Sequence, residues 1–174
     1  PRVIDINPIG RFFLVKFIIL PTRPSRIAPL YQKIWLKDGS PLLVHGLKLK
    51  EELQKRLGDE YIIEFAMRYQ NPSLKDVLQR LKKAEIQEIR VLPLFPQYAS
   101  ASTASVLEKT MNIVKDWQSI PSIQFKNYFY NDENFIDSFV ALGKRYLDKE
   151  KYDHIVFSFH GLPERQIKAG DYDN

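Results

Sequence analysis

Three histidines, no cysteine and a scatter of arginines, tyrosines and hydroxyl side chains supply the chemistry open to this chain of 174 residues. His160 is the sharpest candidate. It ends the apolar run His154-Ile155-Val156-Phe157-Ser158-Phe159 and precedes Gly161-Leu162-Pro163, where glycine lets the backbone turn and proline suits a helix start. A neutral imidazole there serves as a metal ligand or as a proton acceptor near neutral pH, although a lone histidine also serves structure alone. His45, inside an amphipathic stretch, and His154, opening an apolar run, read as structural. Two more groups stand beside apolar runs: Arg68-Tyr69-Gln70-Asn71, and Gln97-Tyr98 with the hydroxyl-rich Ala99-Ser100-Ala101-Ser102-Thr103-Ala104-Ser105. Aromatics, an arginine, an amide and a histidine together suit a flat apolar ligand with anionic substituents. The hydroxyl run fits a helix cap as well as an anion cradle, and Arg68 and Tyr69 also fit an ordinary surface.

The same inventory excludes a good deal. Without cysteine there is no disulfide scaffold, iron–sulfur cluster, thiol nucleophile or Cys-ligated zinc in these residues. No glycine-rich dinucleotide fingerprint or Walker loop favours a nucleotide, and no Gly-x-Ser-x-Gly elbow favours a serine hydrolase. Apolar residues at 44% and charged residues at 27% give a globular balance, long enough for one sizeable domain. The net charge of +5 reads as modest and spread, compatible with an anionic small molecule or a membrane face and not in itself an argument for nucleic acid. No leader pattern opens the chain, which reads as soluble and cytoplasmic. Phe12 to Leu20 is the most apolar stretch, far short of the roughly 20 residues a membrane-spanning helix needs. It reads as a buried helix or strand, or as an interfacial element at an apolar mouth. Pro21-Thr22-Arg23-Pro24-Ser25-Arg26 reads as a linker or loop.

Positioning these residues falls to an alternation that begins at Ser40. Helical spacing runs from Leu42 to Leu57 and stops at Gly58; Ser73, with Asp76 three residues on, opens a helix to about Lys83. Further helices are predicted over Ser102–Trp117, with Ser105 and Glu108 at capping-box spacing, and over Asn131–Leu147. Between them lie four short β-prone runs, 61–67, 88–95, 123–128 and 154–159. The expected fold is α/β: a three-layer, doubly wound, Rossmann-like domain with a mostly parallel four-stranded sheet. Ligands of such sheets sit outside the carboxyl ends of the strands, which puts Tyr69, Gln97 and His160 on one predicted edge.

Four blocks, in order, carry a resemblance. Phe157-Ser158-Phe159-His160-Gly161-Leu162-Pro163-Glu164-Arg165 resembles the Ser-x-His-Gly-Leu-Pro segment of ferrochelatases. Gly39-Ser40-Pro41-Leu42-Leu43, Ala66-Met67-Arg68-Tyr69-Gln70-Asn71-Pro72 and Pro93-Leu94-Phe95-Pro96-Gln97-Tyr98 agree with the same family at its spacing. The likeness covers nearly the whole chain and implies a chelatase-type fold and a lyase of heme biosynthesis. Such an enzyme inserts Fe²⁺ into a porphyrin, protoporphyrin IX or coproporphyrin III, with iron as substrate and no cofactor required. A runner-up in another class is a non-catalytic or other-metal tetrapyrrole-binding module.

By resemblance, His160 is the catalytic residue at the metal or pyrrole-proton position. Arg23, Ser40, Arg68 and Tyr69 match family positions near the porphyrin, and Gln97 and Tyr98 stand at the same mouth. Arg23, Arg26 and Arg68 are the cations suited to propionates, Arg26 by charge and nearness in sequence alone. Phe12–Leu20 matches a lip at the pocket mouth that touches the bilayer in membrane-associated members. This sets the expected organisation: residues 1–38 as an apolar lip and loop, residues 39–174 as the N-terminal ferrochelatase half. The family's first strand, its second domain and that domain's glutamate have no counterpart here, which implies that this stretch alone is inactive. The resemblance leaves oligomeric state open.

Overall fold

Asn7 opens the first helix: its Oδ1 accepts from the Gly10 amide at 2.7 Å, and Pro8 fills a first-turn position that has no use for an N–H. From there α1 (Pro8–Phe13) continues into a π-helical stretch, Leu14–Ile19, and then into α2 (Leu20–Gln32). The computed structural model describes residues 7–168, and the chain divides into two compact units, Pro1–Arg80 and Leu81–Asn174. The α1–α2 arm belongs to the first unit.

The arm overturns two expectations. Pro21 to Arg26, predicted as a loop, lies in α2 with Pro24 and Pro29 in its interior. Proline's fixed φ is already helical, so the helix continues at the cost of missing amide donors and of crowding between each ring and the carbonyl four residues back. Hydroxyls work the same backbone: Thr22 Oγ1 donates to the Ile18 carbonyl and Ser25 Oγ to that of Thr22. The reading of Phe12 to Leu20 as a buried element also falls, because no residue of α1, α2 or the π-helical stretch is buried. Phe17 is 60% exposed and stacks on Phe13 of its own arm, ring centroids 5.7 Å apart.

Beyond the arm, Leu36 and Gly39 exchange backbone hydrogen bonds in a tight turn, with Gly39 at φ +128°, a conformation that only glycine adopts freely. Ser40 then caps α3 (Pro41–Leu57), and Gly58 ends it at φ +68° as its spacing predicted. α4 (Leu74–Lys83) starts at Ser73, whose Oγ accepts from the Asp76 amide at 3.1 Å, and buries Val77 and Leu78. The predicted strand 61–67 does not form. Its backbone is held instead by the α3 side chain Gln54, whose Nε2 donates to the Gly58 and Tyr61 carbonyls at 2.8 Å each. Gln54 Oε1 accepts from the Ile63 amide at 2.9 Å. Met67 at its end bonds Pro72 and Leu74 in an isolated bridge. Groups already satisfied locally have no claim on a strand partner.

The second unit holds the sheet. β1 (Glu88–Val91) and β2 (Ser122–Phe125) pair in parallel, with Ile89 opposite Ile123 and Val91 opposite Phe125. These two are the strands among the described residues, in place of the four predicted. β1 stops short of its predicted end because Pro93 brings no donor. Residues 154–159 stay outside any strand, with Val156 87% and Phe159 76% exposed. A β-prone run becomes a strand only when another strand accepts its ladder. The mixed α/β character with parallel pairing stands.

The helix predicted from Ser102 begins at Ser100, with a π-helical turn (Ser100–Ala104) leading into α5 (Ser105–Val114). Ser105 therefore lies inside the helical run and not at its start, which corrects the capping-box expectation. Around it Ile89, Ala99, Thr103, Ala104, Thr110, Val114 and Trp117 make the core. α6 (Glu133–Leu147) is capped by Asp132, whose Oδ1 accepts from the Phe135 amide at 3.2 Å. A short α7 (Glu164–Lys168) follows the His160 segment.

Candidate functional site

In the first unit, helix formation by Pro21–Arg26 has a direct consequence for charge. Arg23 and Arg26 stand three residues apart on α2, hence on one face. They line a hollow of about 330 Å³ together with Ile18, Ile19, Thr22 and Ile27. Two guanidiniums over an isoleucine floor form a place for an anionic group on an apolar body. In the sequence Arg23 is singled out by family position and charge, and Arg26 by charge and nearness alone; their shared face follows from the i, i+3 spacing, which the prolines hid. Thr22 and Ile27 were not anticipated, while Ile18 and Ile19 belong to the stretch expected as a lip.

Ser40 and the pair Arg68–Tyr69 are not among the residues lining that hollow. Ser40 is half-buried and its Oγ accepts from the Leu43 amide at 3.3 Å, so part of its hydrogen-bonding capacity goes to the α3 N-terminus. Arg68 lies over the Tyr69 ring, guanidinium carbon to centroid 4.6 Å, on a well exposed tyrosine. Between them and α3 runs an ion cluster that sequence reasoning missed. Glu64 Oε2 takes Lys50 Nζ at 2.8 Å, and Oε1 takes both Nε and Nη2 of Arg80 at 3.1 Å. Burial raises the Glu64 carboxyl, but the hydrogen bonds and charges of Lys50 and Arg80 outweigh it and hold the group below its ordinary value of 4.5. The cluster ties the segment carrying Arg68 and Tyr69 to α3 and α4.

In the second unit, the loop after β1 carries Gln97, exposed, and Tyr98, half-buried. Its Pro96 carbonyl accepts from the amides of Phe129 (2.9 Å) and Tyr130 (3.1 Å), which follow β2. The carboxyl ends of the parallel pair are thereby laced together, with Tyr128 and Tyr130 5.6 Å apart. The hydroxyl run turns partly inward, because Thr103 and Ser105 are buried. His160 is exposed in the extended stretch ahead of α7, where Gln166 N reaches the Pro163 carbonyl at 2.8 Å. No cluster of three or more metal-ligating side chains occurs among the described residues, at His160 or elsewhere.

A family model described as Ferrochelatase matches residues 1–174. A protein named ferrochelatase from Coxiella burnetii (strain Dugway 5J108-111) is 41% identical over 171 residues, covering 98% of this chain and 47% of the relative. One of the same name from Legionella pneumophila (strain Corby) is 42% identical over 172 residues, covering 99% of this chain and 51% of the relative. The chain thus spans about half the length of the curated relatives it matches. With the four motif blocks in order and a family match from the first residue to the last, the chain belongs to the ferrochelatase family.

Proposed function

We propose that the full-length protein to which this chain belongs inserts Fe²⁺ into a porphyrin, protoporphyrin IX or coproporphyrin III, as a lyase of heme biosynthesis. The observation that carries this is the Ser158–Pro163 segment with His160 inside a chain matched end to end by the family. Insertion requires two pyrrole N–H protons to leave while iron sheds its water. The exposed imidazole of His160 takes one of those tasks, as iron ligand or as proton acceptor. The macrocycle must be held while this happens, and binding energy gathered at its rim is what can be spent on distorting its centre. Arg23 and Arg26 over their isoleucine floor, and Arg68 stacked on Tyr69, suit the propionates; Ser40, Gln97 and Tyr98 supply neutral hydrogen bonds. Iron enters as substrate, and the chemistry asks for no organic cofactor.

For the whole enzyme we also infer the three-layer, doubly wound arrangement with a mostly parallel four-stranded sheet, as expected from the runs 61–67, 88–95, 123–128 and 154–159. Their β-branched and aromatic content supports it. Protection of the 155–159 amides from hydrogen exchange in the full-length protein is expected, and full exchange within seconds would remove the inference. A cytoplasmic enzyme with peripheral membrane contact through Phe12–Leu20 fits a substrate that is itself apolar. No described helix is long and apolar enough to cross a membrane.

In the full-length enzyme, His160→Ala is expected to lower anaerobic Fe²⁺ insertion by about 10²-fold or more while porphyrin still binds and folding holds. Absorbance titration, thermal melting and turnover are read together, with Arg68→Ala as the variant that weakens porphyrin binding instead. A folded His160→Ala enzyme with undiminished turnover would overturn the catalytic assignment.

A further inference from the structure

The +5 charge is not spread as its modest size suggested. Residues 7–37 contain six cations, Arg11, Lys16, Arg23, Arg26, Lys33 and Lys37, and no acidic residue. Residues 38–174 carry nineteen cations against twenty anions. The positive excess of the protein therefore resides on the α1–α2 arm and its continuation to Lys37. The same residues also leave large apolar side chains in water (Ile9, Phe12, Phe13, Phe17, Ile18, Leu20, then Leu30, Tyr31, Ile34 and Trp35), as do other parts of the chain, Val156, Phe157 and Phe159 most of all. What sets the arm apart is that its exposed apolar groups stand among cations alone.

We propose that this segment, residues 7–37, docks on a bilayer surface and selects anionic phospholipid headgroups. The inference rests on the membrane-contact reading above and adds the lipid class. Two of the cations, Arg23 and Arg26, are assigned to the substrate; Arg11, Lys16, Lys33 and Lys37 remain for phosphates. Lys16 Nζ rides 5.2 Å from the Phe12 ring centroid, the arrangement of a side chain whose stem follows an apolar surface while its head stays wet. Its prolines and cations keep the arm from spanning, so its apolar groups settle at the headgroup–acyl boundary. A neutral surface would satisfy those apolar groups alone. Only an anionic one also takes up a run of charge with no anion of its own. A second exposed apolar face shows the contrast: α6 presents Ile136, Phe139, Val140 and Tyr146, but amid Glu133 and Asp137 as well as Lys144 and Arg145. Mixed signs select nothing.

Flotation of the full-length enzyme with phosphatidylcholine vesicles, with and without phosphatidylglycerol, tests the proposal. Partition onto the anionic vesicles should be more than about tenfold stronger. It should fall back as salt rises from about 0.1 M to about 1 M, where the Debye length shrinks from roughly 10 to 3 Å. Inorganic phosphate at matched ionic strength should not release it. The variant Arg11→Gln/Lys16→Gln/Lys33→Gln/Lys37→Gln should lose the preference and keep porphyrin affinity. The control Lys48→Gln/Lys75→Gln/Lys83→Gln/Lys115→Gln, all exposed positions outside the arm, should retain it. Equal partition onto both vesicle types overturns the lipid selection and leaves membrane contact standing. Absence from both overturns the contact itself, and release by phosphate alone assigns the arm to a soluble anion.

Discussion

The α1–α2 arm and the α5 helix have comparable apolar content, yet the arm buries no residue, whereas α5 and the turn leading into it hold the most deeply buried side chains among the described residues. Val114 is 1% exposed and Thr103 and Thr110 fully buried, whereas Phe17 stays 60% exposed. The difference lies in what each helix has to lean on. α5 follows directly from a strand–loop segment whose Ile89 and Ala99 reach the same core, so its small and β-branched residues close on a neighbour. The arm is a single long helix of bulky side chains whose rings mostly meet each other. Hydrophobicity sets the drive to leave water, and only a facing surface of matching shape lets a side chain act on it.

The comparison can be broken most directly by paired truncations. Val114→Ala should cost about 2–3 kcal/mol, from lost transfer energy plus the cavity left behind. Phe17→Ala removes a larger side chain yet should stay within about 0.5 kcal/mol, as for exposed positions generally. Urea unfolding of both variants decides it, and a costly Phe17→Ala would mean that the arm is packed in solution. α3 should fall nearer to α5. Gly46 is buried against Phe65, and a methyl placed there overlaps the ring, so Gly46→Ala is expected to lose about 1–3 kcal/mol. A neutral effect would show that Phe65 swings aside freely.

A smaller loss than at Val114 is expected at Glu64, whose side chain is 16% exposed between Lys50 and Arg80. Its folded pKa lies below the ordinary 4.5, so the ionised form is the stabilising one. That contribution is complete above about pH 4.5 and drains away as pH falls through the lowered folded value, because the unfolded chain takes up the proton first. Glu64→Gln should cost about 1–2 kcal/mol at pH 7, moderated by the exposure of its partners, and should flatten the acid limb of the stability curve. Identical acid limbs in the two proteins would remove Glu64 from the stability of this unit.

Helices and caps were legible because their determinants are local. Ser73 with Asp76, the stop at Gly58 and the spacing through Leu42–Leu57 each involve residues within a turn or two. Strands were half legible: 88–91 and 122–125 found each other, while 61–67 was claimed by Gln54, seven or more residues back and on a helix. The candidate site divides the same way. His160, Arg68, Tyr69, Gln97 and Tyr98 could be named from motifs, since motifs are contiguous. The hollow shared by Arg23 and Arg26 could not, because prolines disguised the helix that aligns them.

What the sequence determined by itself, then, is family, the positions of helices α3 to α6 and the placement of charge, including six cations and no anion in residues 7–37. Those properties are carried by neighbours along the chain and survive without any knowledge of contacts. What tertiary structure alone decided is which apolar runs are covered, which β-prone runs are paired, and which arginines share a hollow. Each depends on a partner distant in sequence, and burial and strand pairing are properties of two surfaces, never of one.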